Sequence, residues 1–155
     1  CHLTIEDGPQ MVTHDLTRPG LVIIGDAAGF TLNTGLTIRG MDLAAGSALA
    51  ASTAVHAALE SGDFSQAAMD RYLSELKSSF VGQDMQTYAK APAFLERPRM
   101  YKDYGRLAAE VFYGVFNHDL RPRRHIMKVA MDAFKASGLR LRDLISDGLA
   151  GIKAL

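Results

Sequence analysis

The chain has 155 residues, 48% of them hydrophobic, and its 17 lysines and arginines balance 17 aspartates and glutamates. That is enough chain for a sizeable core, and zero net charge gives no global pull toward nucleic acid or a membrane. One cysteine excludes a disulfide framework and any cluster needing four thiolates from this chain, and no apolar run reaches the length of a membrane span.

In chain order, residues 1–20 read as short strands and turns. Leu3 and Ile5 alternate with polar neighbours, Glu6-Asp7-Gly8-Pro9 marks a turn, Met11-Val12 suggests a further short strand, and Arg18-Pro19-Gly20 turns the chain. Leu21-Val22-Ile23-Ile24 is a continuous apolar run, the pattern of a strand covered on both faces. Gly25 and Asp26 end it, and Ala27, Ala28 and Gly29 keep side chains small where the backbone turns. From Gly40 the alanines at 44, 45, 48, 50, 51, 54, 57 and 58 predict a long helix with little bulk.

Glycine turns at the carboxyl end of a strand are where open α/β sheets bind ligands. Asp26 stands there as an acceptor for hydroxyls, and the amides at Gly40, Met41 and Asp42 open a helix whose positive end suits a phosphate or a ring carbonyl. On spacing alone, a plain turn cap explains Asp26 equally well.

Beyond the helix, Gly62 is placed as its terminator and Ser65 as the cap of the next. A helical stripe (Ala67, Met69, Tyr72, Leu73, Leu76, Phe80) predicts one helix over 66–90, and the prolines at 92 and 98 predict a break. Helices follow over 101–115, 125–136 and 139–150, with a loop at 117–122 and Gly138 between the last two. Met100, Tyr88, Tyr101 and Tyr104 suit the lining of a ligand pocket, but their helical spacing favours core; Phe112, Tyr113 and Phe116 also read as core.

Charge is unevenly spread. Residues 1–96 carry 5 basic and 11 acidic side chains, residues 97–142 carry 11 and 4, and the tail carries 1 and 2. The densest basic run, Arg121-Pro122-Arg123-Arg124-His125, steers acidic partners or lines a solvated helix face. Its aromatics are not interleaved in the manner of a nucleic-acid surface. His2 and His14 have no companion ligands for a metal, and no GxSxG, Walker A or HExxH motif occurs, so no catalytic side chain is assigned.

The segment GDAAGF followed by LNTGLTIRGMDLAAGSALAA resembles the second flavin-binding motif of the FixC group of flavoproteins. That group is related to electron transfer flavoprotein–ubiquinone oxidoreductase and, more distantly, to geranylgeranyl reductases. Gly138 to Leu155 is similar to the closing segment of such chains. The resemblance implies an α/β fold: the C-terminal part of a Rossmann-like FAD-binding domain in residues 1–60, then a helical region in 61–155. It implies FAD as cofactor, with Asp26 on the ribityl chain, Gly25, Ala27, Ala28 and Gly29 shaping the turn, and Gly40, Met41 and Asp42 facing the isoalloxazine end.

It further implies electron transfer between an electron-transferring flavoprotein and a ferredoxin-like iron–sulfur protein or a membrane quinone, in some organisms supplying nitrogenase. The expected location is the cytoplasm, at the periphery of the inner membrane. The GxGxxG unit that binds the ADP half of FAD in this family is absent from these residues, so the sequence reads as the C-terminal part of a longer flavoprotein. Action on a polyprenyl substrate, as in geranylgeranyl reductases, and a non-enzymatic interaction module are the other open readings.

Overall fold

A computed structural model describes residues 8–118, 120 and 122–155. The expectations at His2, Leu3, Ile5, Glu6, Asp7 and Arg121 lie outside the described residues. The chain divides into two compact units, one of residues 1–92 with 154–155 and one of residues 93–153.

The first unit is built on α1 (Met41–Ser61), the alanine-rich helix expected from composition. Its buried positions, Leu43, Gly46, Ser47, Ala50, Ala51, Ala54 and Ala58, recur every three or four residues and form one face. Small side chains there let neighbours approach closely. A Cβ on Gly46 would lie 2.6 Å from Phe80 Cζ and 2.7 Å from Val81 Cγ2, so the glycine is what admits that contact. Gly62, at φ +67°, closes the helix in the left-handed conformation that glycine adopts without penalty.

The predicted helix over 66–90 is three pieces: α2 (Gln66–Met69), α3 (Arg71–Ser78) and α4 (Phe80–Thr87). Ser65 caps α2, its Oγ accepting from Ala68 N–H. The later break falls at Ser79, which is extended (φ −73°, ψ 164°) and donates its hydroxyl to Leu76 O at 2.7 Å. A hydroxyl that bonds the preceding turn competes with the helix. Tyr72 from α3, with no exposed surface, packs in the core beside Leu43, Leu76 and Val81. Its hydroxyl donates to Ile23 O (3.1 Å), and burial pushes its pKa to about 12.

The strands depart most from expectation. β1 (Thr17–Arg18) pairs antiparallel with β2 (Leu21–Val22), and β3 (Leu32–Asn33) pairs antiparallel with β4 (Ile38–Arg39). The apolar run 21–24 is therefore not a strand covered on both faces here. Leu21 is 46% and Ile24 36% exposed, because β1 is the only strand that pairs with it among the described residues. Met11-Val12 forms no strand; it follows a single 3-10 turn, Gly8–Gln10.

α5 (Ala91–Leu95) falls where the break at 91–98 is expected. Pro92 is tolerated because the first turn of a helix spends no N–H at that place. In the second unit, one turn of π-helix (Met100–Tyr104) runs into α6 (Gly105–Phe116), followed by α7 (Ile126–Ser137) and α8 (Leu141–Ile152). Gly138, at φ +73°, terminates α7 as the sequence indicates.

The buried centre of the second unit is a carboxylate. Asp147 on α8 is 3% exposed and accepts from Arg97 (2.8 Å), from Arg99 Nε (2.9 Å) and from the Tyr104 hydroxyl (2.7 Å). The hydroxyl of Tyr104, then Arg99 and Arg97, hold its pKa below the usual carboxylate range. α6 meets α7 where a Cβ on Gly114 would lie 2.5 Å from Val129 Cγ1. Phe112, Tyr113 and Phe116, read as core from their spacing, are 63%, 66% and 69% exposed, because the close α6–α7 contact is made at Gly114 rather than through these rings. Tyr101 is exposed as well.

Candidate functional site

The turn after the apolar run lies directly against the amino-terminal half of α1. Gly25 (φ +58°) opens a single 3-10 turn, Gly25–Ala28, and Gly29 (φ +79°) closes it. Gly29 N–H donates to Asp26 O and Phe30 N–H to Gly25 O. A Cβ on Gly29 would lie 2.3 Å from Met11 O, so both conformation and space require glycine there.

One buried hydroxyl pins the turn to the helix. Gly25 N–H donates to Ser47 Oγ at 3.0 Å, and that hydroxyl donates to Ala44 O at 2.8 Å. A Cβ on Gly25 would meet Ala44 Cβ at 3.3 Å. The result is an exposed Asp26-Ala27 pair carried on a fixed backbone, with Ala28 turned into the core.

α1 begins at Gly40 with no side-chain cap, and its first helical bond runs from Ala44 N–H to Gly40 O. A Cβ on Gly40 would stand 3.9 Å from Asp26 Oδ1 and 3.8 Å from Thr31 Cγ2. The Asp26 carboxylate, the uncapped helix end and Thr31 thus surround one point, which the absence of a side chain at Gly40 leaves open. Met41 is 92% exposed beside it.

Asp42 is turned elsewhere. Its carboxylate accepts from Arg39 Nε at 2.7 Å, while Arg39 Nη1 donates to Asp84 on α4 at 2.7 Å. Arg39 holds the Asp42 carboxyl below its usual range. This three-way hold joins β4, the start of α1 and α4. Arg39 also lines a cleft of about 220 Å³ with Leu32, Thr34, Thr37 and Tyr88.

Of the residues singled out from sequence, Asp26 and Gly40 converge, Ala27 and Met41 are exposed, Gly25, Ala28 and Gly29 support the turn, and Asp42 faces Arg39. Sequence reasoning passed over Thr31, Arg39, Ser47 and Asp84. Ser47 carried a faint signal, as a polar position within the small-residue stripe.

The described part of the basic run, Arg123 to His125, is engaged locally. Arg123 donates to Val115 O and meets the His118 ring, Arg124 meets Asp132 at 3.1 Å, and His125 Nδ1 accepts from Met127 N–H at the start of α7. No described helix is long and apolar enough to cross a membrane.

Residues 91–155 match the ETF-QO/FixC family C-terminal domain. Over 154 residues the chain is 44% identical to the probable electron transfer flavoprotein-quinone oxidoreductase YdiS of Escherichia coli K12, an alignment that covers 99% of this chain. The chain belongs to the ETF-QO/FixC family. It is 38% identical to Protein FixC of Escherichia coli K12, again over 99% of its length. The probable electron transfer flavoprotein-quinone oxidoreductase YgcN of the same organism is 27% identical over 78% of the chain. The chain spans 35% of the length of YdiS and of FixC. The relatives' names place this ETF-QO/FixC chain in an oxidoreductase family concerned with electron transfer.

Proposed function

We propose that the chain is the C-terminal portion of an FAD-dependent oxidoreductase that passes electrons between an electron-transferring flavoprotein and a quinone or a ferredoxin-like iron–sulfur protein. The observation that carries this reading is the meeting of the Asp26 carboxylate with the uncapped start of α1 across Gly40. A carboxylate accepts from the hydroxyls of a ribityl chain, and amides at a helix start donate to an electron-rich ring carbonyl. The space a Cβ on Gly40 would fill gives both groups access to one ligand, so the residues present fit the middle of a flavin. When bound, the flavin supplies the electron-accepting and electron-donating chemistry. Asp26 would hold the polyol, and Ser47 and Arg39 would keep turn and helix end in register.

The additional length of the relatives would supply the nucleotide half and the remaining strands of a Rossmann-like sheet. Exposed Leu21, Ile24, Met41 and Leu49 are apolar surface of the kind such strands bury. The excess of basic over acidic residues across 97–142 supports an acidic protein partner or an anionic membrane edge, and so a peripheral place at the inner membrane.

The test is the flavin content of the full-length protein carrying Asp26→Ala. Retained FAD is expected to fall at least tenfold, on the scale of hydrogen bonds to a charged acceptor. A variant that purifies with the wild-type complement of flavin would falsify the assignment.

A further inference from the structure

Thr31 is 4% exposed, and its Oγ1 is a buried side-chain oxygen without a hydrogen-bond partner among the described residues. Buried hydroxyls in folded proteins nearly always have partners, because leaving one unmade forfeits hydration for nothing. The backbone of Thr31 is fixed. Its N–H donates to Gly29 O at 2.9 Å, and a Cβ on Gly8 would come within 2.5 Å of its carbonyl oxygen. Only the side chain is free to respond, and its methyl lies 3.8 Å from where a Cβ on Gly40 would sit, a point that Asp26 Oδ1 approaches to 3.9 Å.

We propose that Thr31 is an additional ligand-binding residue, whose hydroxyl finds its partner on the hydroxyl-bearing chain of a cofactor seated between Asp26 and the start of α1. This rests on the flavin reading above and adds a residue to it. Threonine χ1 wells are staggered, so a one-well turn carries Oγ1 into the place now held by the methyl. There it faces the open point beside Gly40. The hydroxyl is then a donor or acceptor for the same polyol that Asp26 accepts from. Without ligand it is an unsatisfied group in the core, and with ligand it is satisfied. Occupancy of the site and stability of the turn are thereby coupled.

Thr31→Val keeps the branched shape and removes the hydroxyl; Thr31→Ser keeps the hydroxyl and removes the methyl. Both are made in the full-length protein, with FAD affinity read by flavin absorbance and a melting midpoint taken after flavin is stripped. Thr31→Val is expected to weaken FAD about tenfold, the scale of one hydrogen bond. Its stripped form should melt no lower than wild type, and Thr31→Ser should hold FAD nearly as well as wild type. A stripped Thr31→Val protein that melts lower overturns the proposal, since the hydroxyl would then have an internal partner. Unchanged FAD affinity in Thr31→Val, beside a wild type that binds FAD, overturns Thr31 alone. Wild-type protein that takes up no FAD overturns the flavin reading and the ligand proposed for Thr31 with it.

Discussion

In the first unit, Ala28, Leu43, Tyr72 and Val81 have no exposed surface and belong to one contiguous apolar core around α1. In the second, the buried residues among those described are Phe94, Leu95, Val129 and Asp147, whose carboxylate gathers two arginines and a tyrosine. Apolar packing is non-directional and carries no proton at neutral or acid pH, whereas a buried carboxylate depends on the protonation of every member of its network. The candidate site lies in the first kind of surrounding. Its turn is set by steric fit and the Ser47 hydroxyl, while the helix end beside it is also held by the partly exposed Arg39–Asp42–Asp84 pairs.

Substitutions can break this contrast, and the largest effect belongs to the apolar core. Leu43→Ala should cost about 2–5 kcal/mol, because a side chain without exposed surface leaves a cavity in a core that collapses only in part. Hydrogen exchange should speed up across α1, α3 and α4 while α6 to α8 keep their protection; uniform loss in both units would dissolve the distinction.

Asp147→Asn is next, at about 2 kcal/mol, since it keeps the shape but weakens three charge-assisted bonds. Here the loss should fall in the second unit. The wild-type node carries its own pH signature. Asp147 is held below the usual carboxylate range, so the unfolded chain takes up that proton more readily. The node's contribution is present above about pH 4 and fades as pH falls through the folded value.

Tyr104, pushed to about 12 by burial and then by its bond to Asp147, works in the other direction. Its contribution is complete below about pH 10 and is lost as pH rises through 12. Tyr72 does the same in the first unit, so alkali should loosen both while acid acts chiefly on the second. Asp42 and Asp63, the lowered carboxyls of the first unit, are exposed and screened by solvent. Amide exchange followed from about pH 4 downward, over about two units, resolves the two responses.

The smallest effect is that of Arg39→Ala, at about 1 kcal/mol or less for a partly exposed pair. It sharpens the comparison because its place is specific: the β3–β4 hairpin and the first turn of α1 should gain exchange while the rest of the unit does not. A change spread evenly over the unit would deny Arg39 its joining role.

What the sequence made legible were features written in consecutive residues. Alanine content announced α1, and Gly62 and Gly138 marked helix ends because each sits at a positive φ that other residues resist. The glycine turn around Asp26 was equally plain. Contacts between distant positions were not. Arg39 reaches Asp84 across 45 residues and Arg97 reaches Asp147 across 50, and no local periodicity encodes such pairs. The expected helix over 66–90 failed at Ser79, where a hydroxyl bond to the preceding turn outweighs the apolar stripe. Leu21–Ile24 misled in a different way. An apolar run records what a strand is suited to touch, and among the described residues only β1 pairs with it.

The two positive-φ glycines that bracket Asp26 have a thermodynamic consequence. Because the turn is locked from both ends and tied to Ser47, its backbone loses almost no freedom when something settles on the carboxylate. Binding there should proceed with little ordering entropy to offset, and with a heat-capacity change set by surface covered rather than by chain folded.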